Sequence, residues 1–142
     1  MSTNVSVSLW RSIAVLIGRL IFAAVFIMAT GFKFAGMGDT AAYIAAAGFP
    51  FSLVLAWLAA ICETLLIIGF LTGACFTEVA LIAAAYVFFL AFAFHGPSQW
   101  EGNEAEFGFF VDHFTFIAGL LFAAAYGPGR WALRRSFIDR MR

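Results

Sequence analysis

The sequence predicts an all-α membrane protein, a bundle of four transmembrane helices with a short interfacial helix between the first and second spans. Three observations carry this. The 142-residue chain is 64% hydrophobic and 11% charged, against roughly 25% charged in a soluble domain. Its apolar residues fall into four runs near the ~20 residues that cross a bilayer core at 1.5 Å per residue. The breaks between runs carry turn residues and charge. In hydrocarbon a helix satisfies its own backbone hydrogen bonds, which irregular backbone cannot do. One membrane unit accounts for residues 1–142 and leaves no length for a second domain.

The first span is expected over Ser12 to Phe34, interrupted by Arg19 ahead of the terminal Lys33. The polar, uncharged stretch before it lacks the basic start of a signal peptide, and the apolar run is too long for a cleaved one, so it is expected to be retained. In the next segment Asp39 or Thr40 caps a short helix, Gly48 ends it and Pro50 prevents continuation. Tyr43 and Ile44 are its only bulky apolar groups, which suits the interface. The second span covers Phe51 to Leu71 and contains Glu63; Thr72-Gly73-Ala74-Cys75 is a tight turn into the third, Phe76 to Phe94, with Glu78 at its start and His95 at its end. The fourth runs from Phe109 to Tyr126, with Asp112 and His113 near its entry, and Gly127-Pro128-Gly129 stops it. Beyond it, Leu133, Phe137 and Met141 form a loose apolar stripe that suits a surface-lying helix.

Formal net charge is zero, yet its distribution is lopsided: five of the eight basic residues crowd the tail 130–142, and Glu101, Glu104, Glu106 and Asp112 share one loop and its edge. Arginines flanking membrane spans explain the tail better than nucleic-acid binding does. With Arg11 they place both termini in the cytoplasm and the two longer loops outside, in a bacterium on the periplasmic face of the inner membrane. Cys62 and Cys75 form no CxxC motif and read as small packing residues. There is no phosphate loop, no nucleophile elbow and no Ser/His/Asp arrangement. Nothing here carries an electron by itself, so a redox role requires a bound quinone, haem or partner subunit.

Two polar constellations remain. Glu63 and Arg19 are isolated charges inside apolar runs, where a charge costs about 2.5–3.5 kcal/mol on insertion scales and needs a partner or a task. Each lies about two turns from the cytoplasmic end of its span, roughly 10–12 Å deep. Matched depth favours a structural ion pair between Arg19 and Glu63; the alternative is a proton-accepting or quinone-contacting carboxylate tuned by Arg19. At the other end, Lys33, His95, Asp112 and His113 fall near the outer boundary among many phenylalanines and Trp100. One reading is an aromatic belt with snorkelling Lys33 and interfacial histidines. The other is an aromatic-walled pocket for a quinone head group, with Lys33 and His95 as hydrogen-bond and proton-exchanging groups and Asp112 and His113 as weaker contributors. Metal ligation by His95, Asp112 and His113 matches no standard motif, because adjacent helical residues point about 100° apart; no metal is expected.

The pieces Gly18-Arg19-Leu20-Ile21-Phe22, Gly31-Phe32-Lys33-Phe34, Tyr43 with Gly48-Phe49-Pro50, Glu63 followed by Gly69 and Gly73, Phe94-His95, and Gly127-Pro128-Gly129-Arg130 resemble the DoxX family of small four-helix integral membrane proteins. The resemblance implies the same topology with both termini inside. It marks the Arg19, Lys33, Glu63 and His95 positions. It also implies association with redox complexes, since some members are implicated as membrane subunits of thiosulfate:quinone oxidoreductase or terminal quinol oxidase assemblies. The chain departs from its relatives where Thr72 to Glu78 lacks a basic residue and where Asp112-His113 replaces Lys-Asn, which makes the outer pocket more acidic. The expectation is therefore a membrane subunit of a quinone-linked oxidoreductase, not catalytic alone, using ubiquinone or menaquinone beside membrane or soluble redox partners. The rival is a non-catalytic accessory or anchoring subunit. A small-solute transporter is the weaker third class, because the spans show few breaks.

Overall fold

A computed structural model describes residues 9–133, and it is helical without strands over them. Helix α1 covers Leu9–Ala35, α2 Met37–Ala46, α3 Ser52–Thr72, α4 Phe76–His95 and α5 Glu104–Tyr126, with a single 3-10 turn at Pro97–Gln99. Four of these are long and apolar enough to cross a membrane, and α2 is the short helix expected between the first two. The helix expected of the basic tail lies outside the described residues, apart from Leu133.

Local chemistry sets the boundaries. Only Gly36 separates α1 from α2, and Gly48 at φ 88° ends the turn after α2. Gly73 at φ 72° closes α3 in the left-handed conformation that a residue without Cβ adopts without strain. Helix α5 begins five residues before the expected Phe109. Asn103 occupies its N-cap position and Glu104 and Glu106 its first turn, where carboxylates oppose the positive end of the helix dipole. A count of apolar residues misses such a polar first turn.

The long helices alternate direction. We call the end with the Gly73–Cys75 turn the turn end, and the end with α2 and the 96–103 loop the mouth. Helix α1 packs on α3, α4 on α5 and α3 on α4, while α2 folds over α3. Toward the turn end the core is solid: Phe26, Leu66, Phe70, Phe76 and Leu120 are buried together, and Phe22 and Phe26 each contact both Phe70 and Phe116. Helices α3 and α4 approach closely at Gly69, where an added Cβ would overlap the Val79 side chain. Gly69→Ala is therefore expected to destabilise the bundle by about 1–3 kcal/mol, and Val79→Ala in the same chain to recover most of it. Unfolding in mixed micelles measures this, and a Gly69→Ala protein as stable as the parent would contradict the packing. Toward the mouth, a second cluster of Ala41, Ile44 and Ala56 seats α2, and the bundle interior between the two clusters is left open.

Candidate functional site

Glu63 is the centre of a hydrogen-bonded hub drawn from three helices. Its Oε1 accepts from Lys33 Nζ of α1 at 2.9 Å and from the Tyr86 hydroxyl of α4 at 2.8 Å; its Oε2 accepts from Thr30 Oγ1 of α1 at 2.9 Å. The Glu63 side chain is 2% exposed and that of Lys33 19%. A carboxylate with three donors, one of them cationic, has the partners that make burial of the charge tolerable.

The expected ion pair between Arg19 and Glu63 is not formed. Arg19 is 2% exposed, and its guanidinium donates instead to backbone: Nε to Phe70 O at 3.0 Å, Nη2 to Leu71 O at 2.8 Å, and Nη1 to Pro128 O at 3.2 Å and Trp131 O at 2.5 Å. With Gly73 N on Gly69 O at 2.8 Å and Leu133 N on Thr72 O at 2.9 Å, all four final carbonyls of α3 are satisfied, although a free helix end leaves them orphaned. Phe70 and Leu71 lie seven and eight residues along α3 from Glu63, about 10–12 Å by the helical rise. The expectation failed for two reasons. Helices α1 and α3 are not flush, because α1 projects past the end of α3 and the 127–133 segment fills the space it leaves. Helical side chains also lean toward their own N-terminus, so in antiparallel α1 and α3 Arg19 leans toward the turn end and Glu63 toward the mouth. The same lean carries Lys33 inward to Glu63, where sequence reasoning allowed it to snorkel outward.

At the mouth, His95 closes α4 and meets α5. Its Nδ1 lies 2.5 Å from Glu106 Oε2, its ring centroid 4.9 Å from that of His113 and 5.4 Å from that of Phe109. Trp100 Nε1 donates to the His95 carbonyl at 2.8 Å and packs on Phe107 and Phe110, pinning the loop. His113 Nδ1 donates to Phe109 O at 2.7 Å. Tyr43 of α2 stacks on Phe94 with centroids 5.1 Å apart. Partial burial, and then the Glu106 carboxylate, push its phenol up from the ordinary value, so it stays a protonated donor.

Members of both constellations line one cavity of about 840 Å³, within the size range of small-molecule sites. Phe32, Leu55, Leu58, Phe89, Leu90 and Phe94 supply its apolar walls; Lys33, Cys62, Tyr86, Asp39, Tyr43, His95 and His113 supply its polar groups. Lys33, His95 and His113 thus line one cavity. Asp112 is not: it is exposed and does not line the cavity, because one residue's step turns it about 100° from His113. The acid beside the histidines is Glu106. Sequence reasoning also missed Thr30 and Tyr86. Their signal was weak but present, since Tyr86 is the one hydroxyl-bearing residue of α4 beyond its first turn, and Thr30 lies one turn from Lys33 on the same face. Among the described residues no group of three His, Cys, Asp or Glu side chains has the geometry to hold a metal ion.

A model of the DoxX family matches residues 14–96. That stretch contains Arg19, Thr30, Lys33, Glu63, Tyr86 and His95, and ends before Glu106 and His113. No curated protein and no solved structure matches the chain.

Proposed function

Because the chain belongs to the DoxX family of membrane proteins, a family linked to membrane oxidoreductase-associated roles, we propose that it is the membrane subunit of a quinone-linked oxidoreductase and holds the quinone or quinol ring in this cavity. The single observation that carries the reading is the cavity itself, aromatic-walled with cationic and proton-exchanging groups among its lining. A quinone supplies two-electron redox chemistry coupled to proton transfer at its ring oxygens. The residues present fit such a group. Lys33 has three N–H bonds: one goes to Glu63 and one, at 3.5 Å, to Ala29 O, which leaves a third to donate to a ring oxygen. Glu63, Thr30 and Tyr86 hold that ammonium in place. Phe32, Phe89, Leu58 and Leu90 exclude water and suit a ring with a prenyl chain.

The depth of the two polar groups assigns them separate tasks. Tyr86, which shares Glu63 with Lys33, is nine residues from His95 on α4, about 13 Å by the rise. One ring is too small to bridge that span. Lys33 therefore orients a ring that stands at the inner end of the cavity, and His95 exchanges protons with a ring that stands at the mouth. The arginine distribution turns the mouth to the outer face of a bacterial inner membrane, with both termini cytoplasmic. Electrons pass to or from a partner redox subunit.

The test is titration of the purified chain in lipid nanodiscs with decylubiquinone and with a short-chain menaquinone, read by tryptophan fluorescence. Saturable binding is expected for at least one of them, weakened at least tenfold, roughly 1.4 kcal/mol, by Lys33→Ala. Absence of saturable binding by the unmodified chain would sink the proposal.

A further inference from the structure

We infer that His95 and Glu106 form a proton-accepting dyad at the mouth, with His113 as the next proton acceptor, so that the cavity prefers the reduced, hydroxyl-bearing form of its ligand. The inference rests on the reading that the cavity takes a quinone-type ring, and adds to it the redox form bound and the group that receives the proton. Its argument is the geometry of the two imidazoles. A carboxylate only accepts hydrogen bonds, so the contact between His95 Nδ1 and Glu106 Oε2 at 2.5 Å places the ring proton on Nδ1. In the neutral ring Nε2 then carries the lone pair, and His95 lines the cavity. His113 is fixed the same way: a backbone carbonyl accepts from its Nδ1 at 2.7 Å, and its Nε2 is the acceptor.

Such an Nε2 repels a quinone carbonyl, which offers only lone pairs, and welcomes a hydroxyl, which offers a proton. The step is a simple transfer. The ligand O–H bond breaks, an N–H bond forms at His95 Nε2, and the electron pair stays on the ligand oxygen. Glu106 stabilises the imidazolium that results, as a carboxylate behind a histidine does elsewhere. The proton then has an acceptor in the adjoining His113 ring, 4.9 Å away between centroids. The Tyr43 phenol on α2, Asp39 and Lys33 also line the cavity, and none of them is bonded to the His95 ring. Phe109 packs against that ring, and Trp100 holds the His95 backbone through its carbonyl. Glu106 is a positioning residue in this arrangement, since it acts through His95.

The first measurement needs neither ligand nor variant. Nitrogen-15 NMR of the histidine-labelled chain in nanodiscs distinguishes the two neutral tautomers, and the expected result is a proton on Nδ1 of His95. In Glu106→Ala the signal should shift toward the Nε2–H tautomer, and Glu106→Asp should restore it at least in part. The second measurement compares affinities. Decylubiquinol is expected to bind the unmodified chain about tenfold more tightly than decylubiquinone, and Glu106→Ala to erase that preference by weakening quinol binding and strengthening quinone binding. A proton on Nε2 of His95 in the unmodified protein overturns the dyad even when quinones bind, and so does equal affinity for the two redox forms. An Nδ1–H tautomer in a chain that binds neither form leaves the dyad standing as local chemistry and overturns both the ligand preference and the quinone reading.

Discussion

Replacing Arg19 by leucine is expected to lower the stability of the bundle by about 4 kcal/mol, because each buried carbonyl stripped of its donor costs about 1–3 kcal/mol. Four carbonyls lose a partner at once, those of Phe70, Leu71, Pro128 and Trp131. Arg19 also ties the segment after α5 to the end of α3, beside the Leu133–Thr72 bond, so single cysteines introduced into 127–133 should react faster with a maleimide in the variant. Arg19→Lys should recover less than half of the loss, since a single ammonium lacks the planar fork that reaches two strands of backbone together. Unfolding in mixed detergent micelles reads the stability. A change under 1 kcal/mol for Arg19→Leu would show that these contacts hold little together.

The second large effect is expected at Glu63. Glu63→Leu removes the shared acceptor of Lys33, Tyr86 and Thr30, and breaking a buried pair from one side costs about 3–5 kcal/mol. The loss falls at the lower end if Lys33, already partly exposed to the cavity, swings toward the mouth. The sharper test is coupling. Adding Lys33→Met to Glu63→Leu should return about 1–3 kcal/mol relative to the sum of the single changes, as expected for residues in one network. Arg19→Leu with Glu63→Leu should instead be additive within about 0.5 kcal/mol. Coupling of Arg19 and Glu63 with none between Lys33 and Glu63 would reverse the assignment of partners.

Much of this molecule is legible in its sequence. Four apolar runs of spanning length, a Gly-Pro-punctuated short helix and a glycine-led tight turn follow from hydropathy and backbone chemistry, which act locally and leave local marks. Of the six charged or titratable residues singled out, Arg19 and Glu63 are buried, Lys33, His95 and His113 line the cavity, and Asp112 is exposed outside it. Glu106 was less legible. It sits in a polar stretch that hydropathy assigns to a loop, while its role depends on α5 starting at Glu104.

By itself, then, the sequence determined which residues must be buried or must find a partner, because the cost of a charge in hydrocarbon is a property of the residue and its surroundings along the chain. Only the tertiary structure decided which partner each one took. That choice depends on how far α1 slides past α3 and on the lean of each side chain along its helix. A displacement of seven or eight residues sends Arg19 to a helix end and gives Glu63 to Lys33 instead. The stagger is fixed by packing between helices distant in sequence, such as Phe22 and Phe26 against Phe70 and Phe116, and no local pattern records it.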